Sequence, residues 1–165
     1  MKKFVIIING PICSGKTSIS RKLWGKMKRT ALLNLDKIKK LVYDYTPADL
    51  PLANKVGISM AKVYLENNVN VIIEKAFAKY EFVEQFVSLG SKEVVVKVYN
   101  IESPLNILEE RLNTREKDKE NGVTIERLHK SYKNYQEHKF KVDKTFDSSE
   151  MSSEEIAKEI LKDIN

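Results

Sequence analysis

The eight residues GPICSGKT, Gly10 to Thr17, constrain this chain more than any other stretch. They satisfy the pattern G-x-x-x-x-G-K-[S/T] at every fixed position. They also lie between the apolar run FVIII and a segment of helical period, which is the context that the pattern requires mechanically. Glycines let successive backbone amides curl into a concave nest at a helix N-terminus, where the helix dipole adds to the attraction for anions. In such a nest Lys16 would reach the β- and γ-phosphates of a nucleotide, and the Thr17 hydroxyl would ligate Mg²⁺. The expected phosphate-binding set is therefore Gly10, Pro11, Ile12, Cys13, Ser14, Gly15, Lys16, Thr17 and Ser18. Cys13 has two readings: a thiol activated by the surrounding amides, or simply a small side chain that fits.

The rest of the chain alternates apolar runs with longer segments of helical period. Strands are expected at KKFVIIIN, ALLNL, NVNVIIE and KEVVVKVYN, with a short fifth at KVDKTF. Helices are expected over 15–28, from about Asp36, over about 52–67, over 79–89 with Gly90 closing the last turn, from Ser103, and over 124–138. Ser103 reads as a helix cap followed by Pro104 in the first turn, and Ser152 with Glu155 reads as a capping box for a last amphipathic helix. Strands that are apolar at nearly every position, alternating with helices, predict an α/β domain whose mostly parallel sheet is covered on both faces.

Neither repeat nor linker divides the 165 residues, a length that suits one domain. The single cysteine forms no internal disulfide, no leader precedes the first strand, and no apolar run reaches the roughly eighteen residues of a membrane span. A soluble, cytoplasmic protein is expected. Its 29 Lys and Arg against 23 Asp and Glu leave a net charge of +6, which favours anionic partners.

No D-x-x-G or N-K-x-D follows the loop, which disfavours a GTPase, and no L-S-G-G-Q appears, which disfavours a transporter ATPase. The segments IIINGPICSGKTSISRKL, LLNLDKIK, NVIIEKAF and ILEERLNTREKDKE, in this order, resemble the P-loop kinases of the nucleoside and nucleotide kinase-like superfamily. The resemblance is nearest to the small kinases that include chloramphenicol phosphotransferase, zeta toxin and polynucleotide kinase. It implies a five-stranded parallel sheet in the order 2-3-1-4-5, ATP with Mg²⁺, and a short lid over the phosphates, here about residues 112–126.

The same resemblance implies roles for four further residues. Asp36, closing the second strand, stands where these kinases carry the general base for an acceptor hydroxyl, although Asp is also a favoured helix cap. Glu74, closing the third strand, is expected to support Mg²⁺; it can alternatively serve as the base, or pair with a surface lysine. Arg111 and Arg115, four apart on one helix face, match the lid arginines that stabilise charge on the moving phosphoryl group. Glu109, Glu110 and Glu116 offer them ordinary helix ion pairs instead. The lid tip EKDKENGVT has Gly122 as its turn.

The helix bearing His129, Lys130, Tyr132, Lys133 and Tyr135 reads either as a nucleic-acid contact or as an amphipathic helix packing its tyrosines. The preferred function is an ATP-dependent phosphotransferase acting on a hydroxyl of a small-molecule or nucleotide-like acceptor. A nucleotide-binding ATPase switch without such an acceptor is the alternative, and a nucleic-acid end is a less favoured acceptor. The D-G-[FY]-P-R run of adenylate-type kinases is missing, since the third strand continues EKAFAK.

Overall fold

The computed structural model describes residues 2–77, 79–114 and 122–164. Five strands, β1 (Lys3–Asn9), β2 (Thr30–Asn34), β3 (Asn70–Glu74), β4 (Val94–Glu102) and β5 (Lys144–Asp147), form one sheet in the order β2-β3-β1-β4-β5. All pairs are parallel, so the order and direction implied by the resemblance are found. Seven α-helices occur among the described residues: α1 (Lys16–Lys26), α2 (Leu35–Lys39), α3 (Leu50–Glu66), α4 (Tyr80–Val87), α5 (Leu105–Thr114), α6 (Ile125–Glu137) and α7 (Ser153–Ile164). None is long and apolar enough to cross a membrane.

Strand β1 shows why these strands carry so few polar residues. Its side chains point alternately to the two faces of the sheet. Val5 and Ile7 enter one core with Leu33, Ile73 and Phe86, under α3 and α4; Ile6 and Ile8 enter another with Ile19, Leu23 and Ile156, under α1 and α7. All four are fully buried, each worth about 2 kcal/mol relative to exposure. Covering both faces leaves the C-terminal edge of the sheet as the place where polar side chains gather. There Glu74 aligns with Ile8 on one side and Asn34 on the other.

A buried amide pair fastens that edge. Asn9 Nδ2 donates to Asn100 Oδ1 at 2.9 Å, and the Phe77 amide donates to Asn9 Oδ1 at 3.0 Å. The two residues at the ends of β1 and β4 thereby hold the segment that follows β3.

The helix ends depart from the expected ones in three places. The Pro104 carbonyl accepts from the Leu108 amide, so Pro104 stands at the cap of α5 and Ser103 falls one residue outside it. The Ser103 hydroxyl is buried with no hydrogen-bond partner among the described residues. Helix α4 stops at Val87, and Gly90 is not left-handed. Its value is close approach, because a Cβ there would lie 3.2 Å from the Val87 carbonyl oxygen and 3.4 Å from Val96 Cγ2. Helix α3 begins at Leu50, entered from a short 3-10 turn at Pro47–Asp49. The capping box of α7 forms as expected, with reciprocal bonds between Ser152 and Glu155.

Candidate active site

The phosphate loop leaves β1 at Gly10, where the chain passes so close to β4 that a Cβ would stand 2.0 Å from the Ile101 carbonyl oxygen. Only glycine fits. Cys13 (φ 64°) and Gly15 (φ 94°) take left-handed conformations, the kind of backbone from which an anion-binding nest is made. Helix α1 starts with no side-chain cap and no acidic residue in its first turn, so its leading amides are not preoccupied by a carboxylate. Lys16 is buried and donates from Nζ to the Pro11 carbonyl at 2.6 Å. Across the loop the Ile12 amide donates to Ser131 Oγ at 3.1 Å, which brings α6 against it.

Thr17 donates its hydroxyl to Glu74 Oε1, joining the first turn of α1 to the end of β3. Glu74 is buried, so the surface-lysine reading of this residue is not realised. The two oxygens fit Mg²⁺, which takes one or two protein ligands and fills its remaining positions with phosphate and water. No group of three or more His, Cys, Asp or Glu with metal-binding geometry occurs among the described residues, so a site built wholly from protein ligands is not found there.

Asp36 lies in the first turn of α2, just beyond the end of β2. The cap of that helix is Asn34, whose Oδ1 accepts from the Lys37 amide at 3.0 Å, so Asp36 does not serve as the cap. Two ammonium groups converge on Asp36 Oδ1: Lys39 at 2.9 Å and Lys75 at 3.2 Å. Burial pushes the Asp36 carboxyl up, but the lysines outweigh it and bring the pKa from 3.8 down to about 2. Burial likewise pulls the Lys75 ammonium down, with Lys39 adding to the effect and Asp36 opposing it. The Asp36 side chain remains 48% exposed, while Lys39 and Lys75 are only 13% and 9% exposed.

Loop, Asp36 and Lys75 face one open cleft of about 1060 Å³, closed on its far side by Arg127, Lys130, Ser131 and Tyr135 of α6. Arg111 is not among its lining residues. Its guanidinium donates to Ser148 Oγ at 2.9 Å, to the Ser148 carbonyl at 2.6 Å and to the Cys13 carbonyl at 3.4 Å, fastening the loop to the turn after β5. Arg115 and most of the expected lid tip lie outside the described residues; Gly122 at its end is left-handed (φ 67°), as a turn there requires.

Helix α6 mainly packs. Tyr135 is buried with its hydroxyl on Glu102 at 3.1 Å, His129 pairs with Glu109 at 2.5 Å, and Lys133 pairs with Glu137 at 3.7 Å. Lys130 is the member of that group that turns into the cleft alongside Tyr135. Cys13 is buried against Leu108, Leu112 and Leu128, the environment of a small packing side chain. Sequence reasoning did not reach Ser131, Arg127 or Ser148. Ser131 and Arg127 meet the loop or the cleft from more than a hundred residues away, and Ser148 acts on the loop through Arg111, with no local pattern to mark any of the three.

A doubly wound sheet in this order, with a phosphate loop after its central strand β1, Glu74 closing the adjacent β3 and Asp36 following β2, defines the P-loop kinase-like fold. Residues 5–138 match an AAA domain family model, and the chain belongs to that family. No curated protein sequence matches the chain. Among solved structures, the tunicamycin resistance protein of Deinococcus radiodurans superposes with a TM-score of 0.71 at 16% identity, covering 99% of this chain and 96% of that one. The APS kinase of Mycobacterium tuberculosis, solved with AMPPNP and APS, superposes with 0.73 at 13% identity, covering 98% and 96%. Shikimate kinase of Acinetobacter baumannii, solved with shikimate, gives 0.64 at 16%, covering 97% and 92%. These likenesses establish the shared fold.

Proposed function

We propose that this protein transfers the γ-phosphoryl group of ATP, bound with Mg²⁺, to a hydroxyl of a small-molecule or nucleotide-like acceptor. The observation that carries the reading is the shared cleft, with the Lys16 loop on one wall and the half-exposed carboxylate of Asp36 on the other. Lys16 and the loop amides hold the β- and γ-phosphates. Thr17 and Glu74 would hold the metal, which supplies charge neutralisation on the phosphates when bound.

Asp36 accepts a hydrogen bond from the acceptor hydroxyl and aims its oxygen at phosphorus. As the new O–P bond forms, the bond between the γ-phosphorus and the β–γ bridging oxygen breaks. ADP leaves, and the hydroxyl proton passes to the Asp36 carboxylate. A pKa of about 2 makes Asp36 a weak base, which suits phosphoryl transfer, because a loose transition state asks for positioning more than for early proton removal. Glu74 is less suited to that task, being buried and engaged by Thr17.

The test is transfer of label from γ-labelled ATP to a panel of nucleosides, nucleotides, hydroxylated antibiotics, sugar nucleotides and 5′-hydroxyl oligonucleotides, with Lys16→Ala as the blank. Asp36→Asn is expected to lower transfer by roughly a hundredfold or more while ATP still binds. An ATPase switch without an acceptor would be indifferent to that substitution, and indifference would refute the proposal.

A further inference from the structure

We propose that the acceptor carries its own phosphate group close to the hydroxyl that reacts, and that Lys39 and Lys75 are the residues that bind it. The proposal rests on the transferase reading and names its substrate class. Its starting point is a charge imbalance in a confined place. Lys37, Lys39, Lys40 and Lys75 all line the cleft around Asp36, the one carboxylate in its lining among the described residues. The loop and α6 add Lys16, Arg127 and Lys130. MgATP would offset part of this excess at the loop and leave the lysines of and just after α2, and Lys75 after β3, with only Asp36 as a matching anion among the described lining residues.

The geometry narrows the imbalance to two groups. Lys39 and Lys75 share a single oxygen of Asp36, at 2.9 and 3.2 Å, and both are largely withdrawn from water. Holding two like charges against one carboxylate oxygen, with both ammonium groups largely out of water, is costly. A second anion beside Asp36 relieves it. An acceptor hydroxyl that bonds to Asp36 brings any phosphate a few bonds away within reach of both ammonium groups. Both ammonium groups sit on Oδ1, which leaves Oδ2 to the hydroxyl, and the lysines reach the acceptor's phosphate while still paired with Asp36. A neutral acceptor brings them no second anion.

The test uses acceptor pairs that differ only in one phosphate: adenosine against adenosine 3′-phosphate, ribose against ribose 5-phosphate, and a 5′-hydroxyl oligonucleotide against its methylphosphonate form. The first two pairs represent a small-molecule source of the phosphate and the third a polynucleotide. Transfer from labelled ATP is measured alongside calorimetric binding to protein saturated with AMPPNP and Mg²⁺. In at least one pair the charged member should react, or bind, at least tenfold better.

Lys39→Met and Lys75→Met should each raise KM for that acceptor about tenfold and leave ATP affinity within about twofold. Lys75→Arg, which keeps the charge, should retain most of the preference. Circular dichroism establishes that each variant is folded. Tighter binding of a charged member without transfer of label would sink the transferase reading and leave this inference standing. Equal binding of both members in every pair, or variants that weaken ATP in place of the acceptor, would overturn it.

Discussion

Asn9→Ala tests whether the buried amide pair fastens the C-terminal edge of the sheet. Asn9 is 1% exposed, and its side chain serves two partners: Asn100 Oδ1 at 2.9 Å and the Phe77 amide at 3.0 Å. Truncation leaves both without that partner inside the protein. An orphaned buried donor or acceptor costs about 1–3 kcal/mol, so the two together predict a loss of roughly 3 kcal/mol. Asn100→Ala orphans only Asn9 Nδ2 in this pair, so it should cost about half as much. For a chain of this size a loss of 3 kcal/mol corresponds to a fall in Tm of roughly 6–12 °C. Urea unfolding of the two single variants and the double variant gives the stabilities and, through the cycle, the coupling. The double variant orphans only the Phe77 amide, so a coupling of roughly 3 kcal/mol is expected. If Asn9→Ala cost less than Asn100→Ala, or if the two were additive, the argument from shared partners would be refuted.

Three other outcomes follow from the site. The lowered Asp36 pKa contributes stability that is present above about pH 4 and is lost as pH falls toward 2. At full strength the drop would amount to about 2.4 kcal/mol, which solvent screening of a half-exposed side chain reduces to roughly 1 kcal/mol. Asp36→Asn should flatten the acid limb of a stability–pH curve by that amount, and an unchanged limb would count against the ion pairs. Gly10→Ala should fail to give a protein that binds ATP, because its Cβ meets backbone on β4; calorimetry showing normal affinity would contradict the packing. Arg111→Lys should lower Tm by about as much as Arg111→Ala, roughly 4–8 °C, since only the planar fork reaches both Ser148 oxygens. A full rescue by lysine would show that charge alone matters there.

Local chemistry made the phosphate loop legible, because its function is written in consecutive residues whose backbone freedom and charge are both required. The apolar strands were legible for a related reason: a sheet covered on both faces leaves β1 no polar position between Lys3 and Asn9. Asp36 and Glu74 were placed at the edge of the sheet by strand ends, but their partners were not visible. Lys75 stands 39 residues from Asp36, and Asn100 stands 91 from Asn9. Such pairings depend on strand register and on the turn of α2, neither of which leaves a period in the sequence. Ser103 and Gly90 failed as end signals for a different reason. Both residue types suit several backbone roles, and the neighbouring proline and the close approach of β4 decided which role was taken.

In the proposed reaction the parallel sheet keeps the grip on the donor and the grip on the acceptor in different connections. The loop after β1 must satisfy Gly10 against Ile101 and Thr17 against Glu74, and it tolerates little change. Helix α2, after β2, is five residues long and buries Leu35 and Ile38 while Asp36, Lys37 and Lys39 stand on its other side. On that proposal, natural variation rewrites the acceptor's recognition by exchanging a few cleft-facing residues of one short helix, with the donor's cradle inherited unchanged.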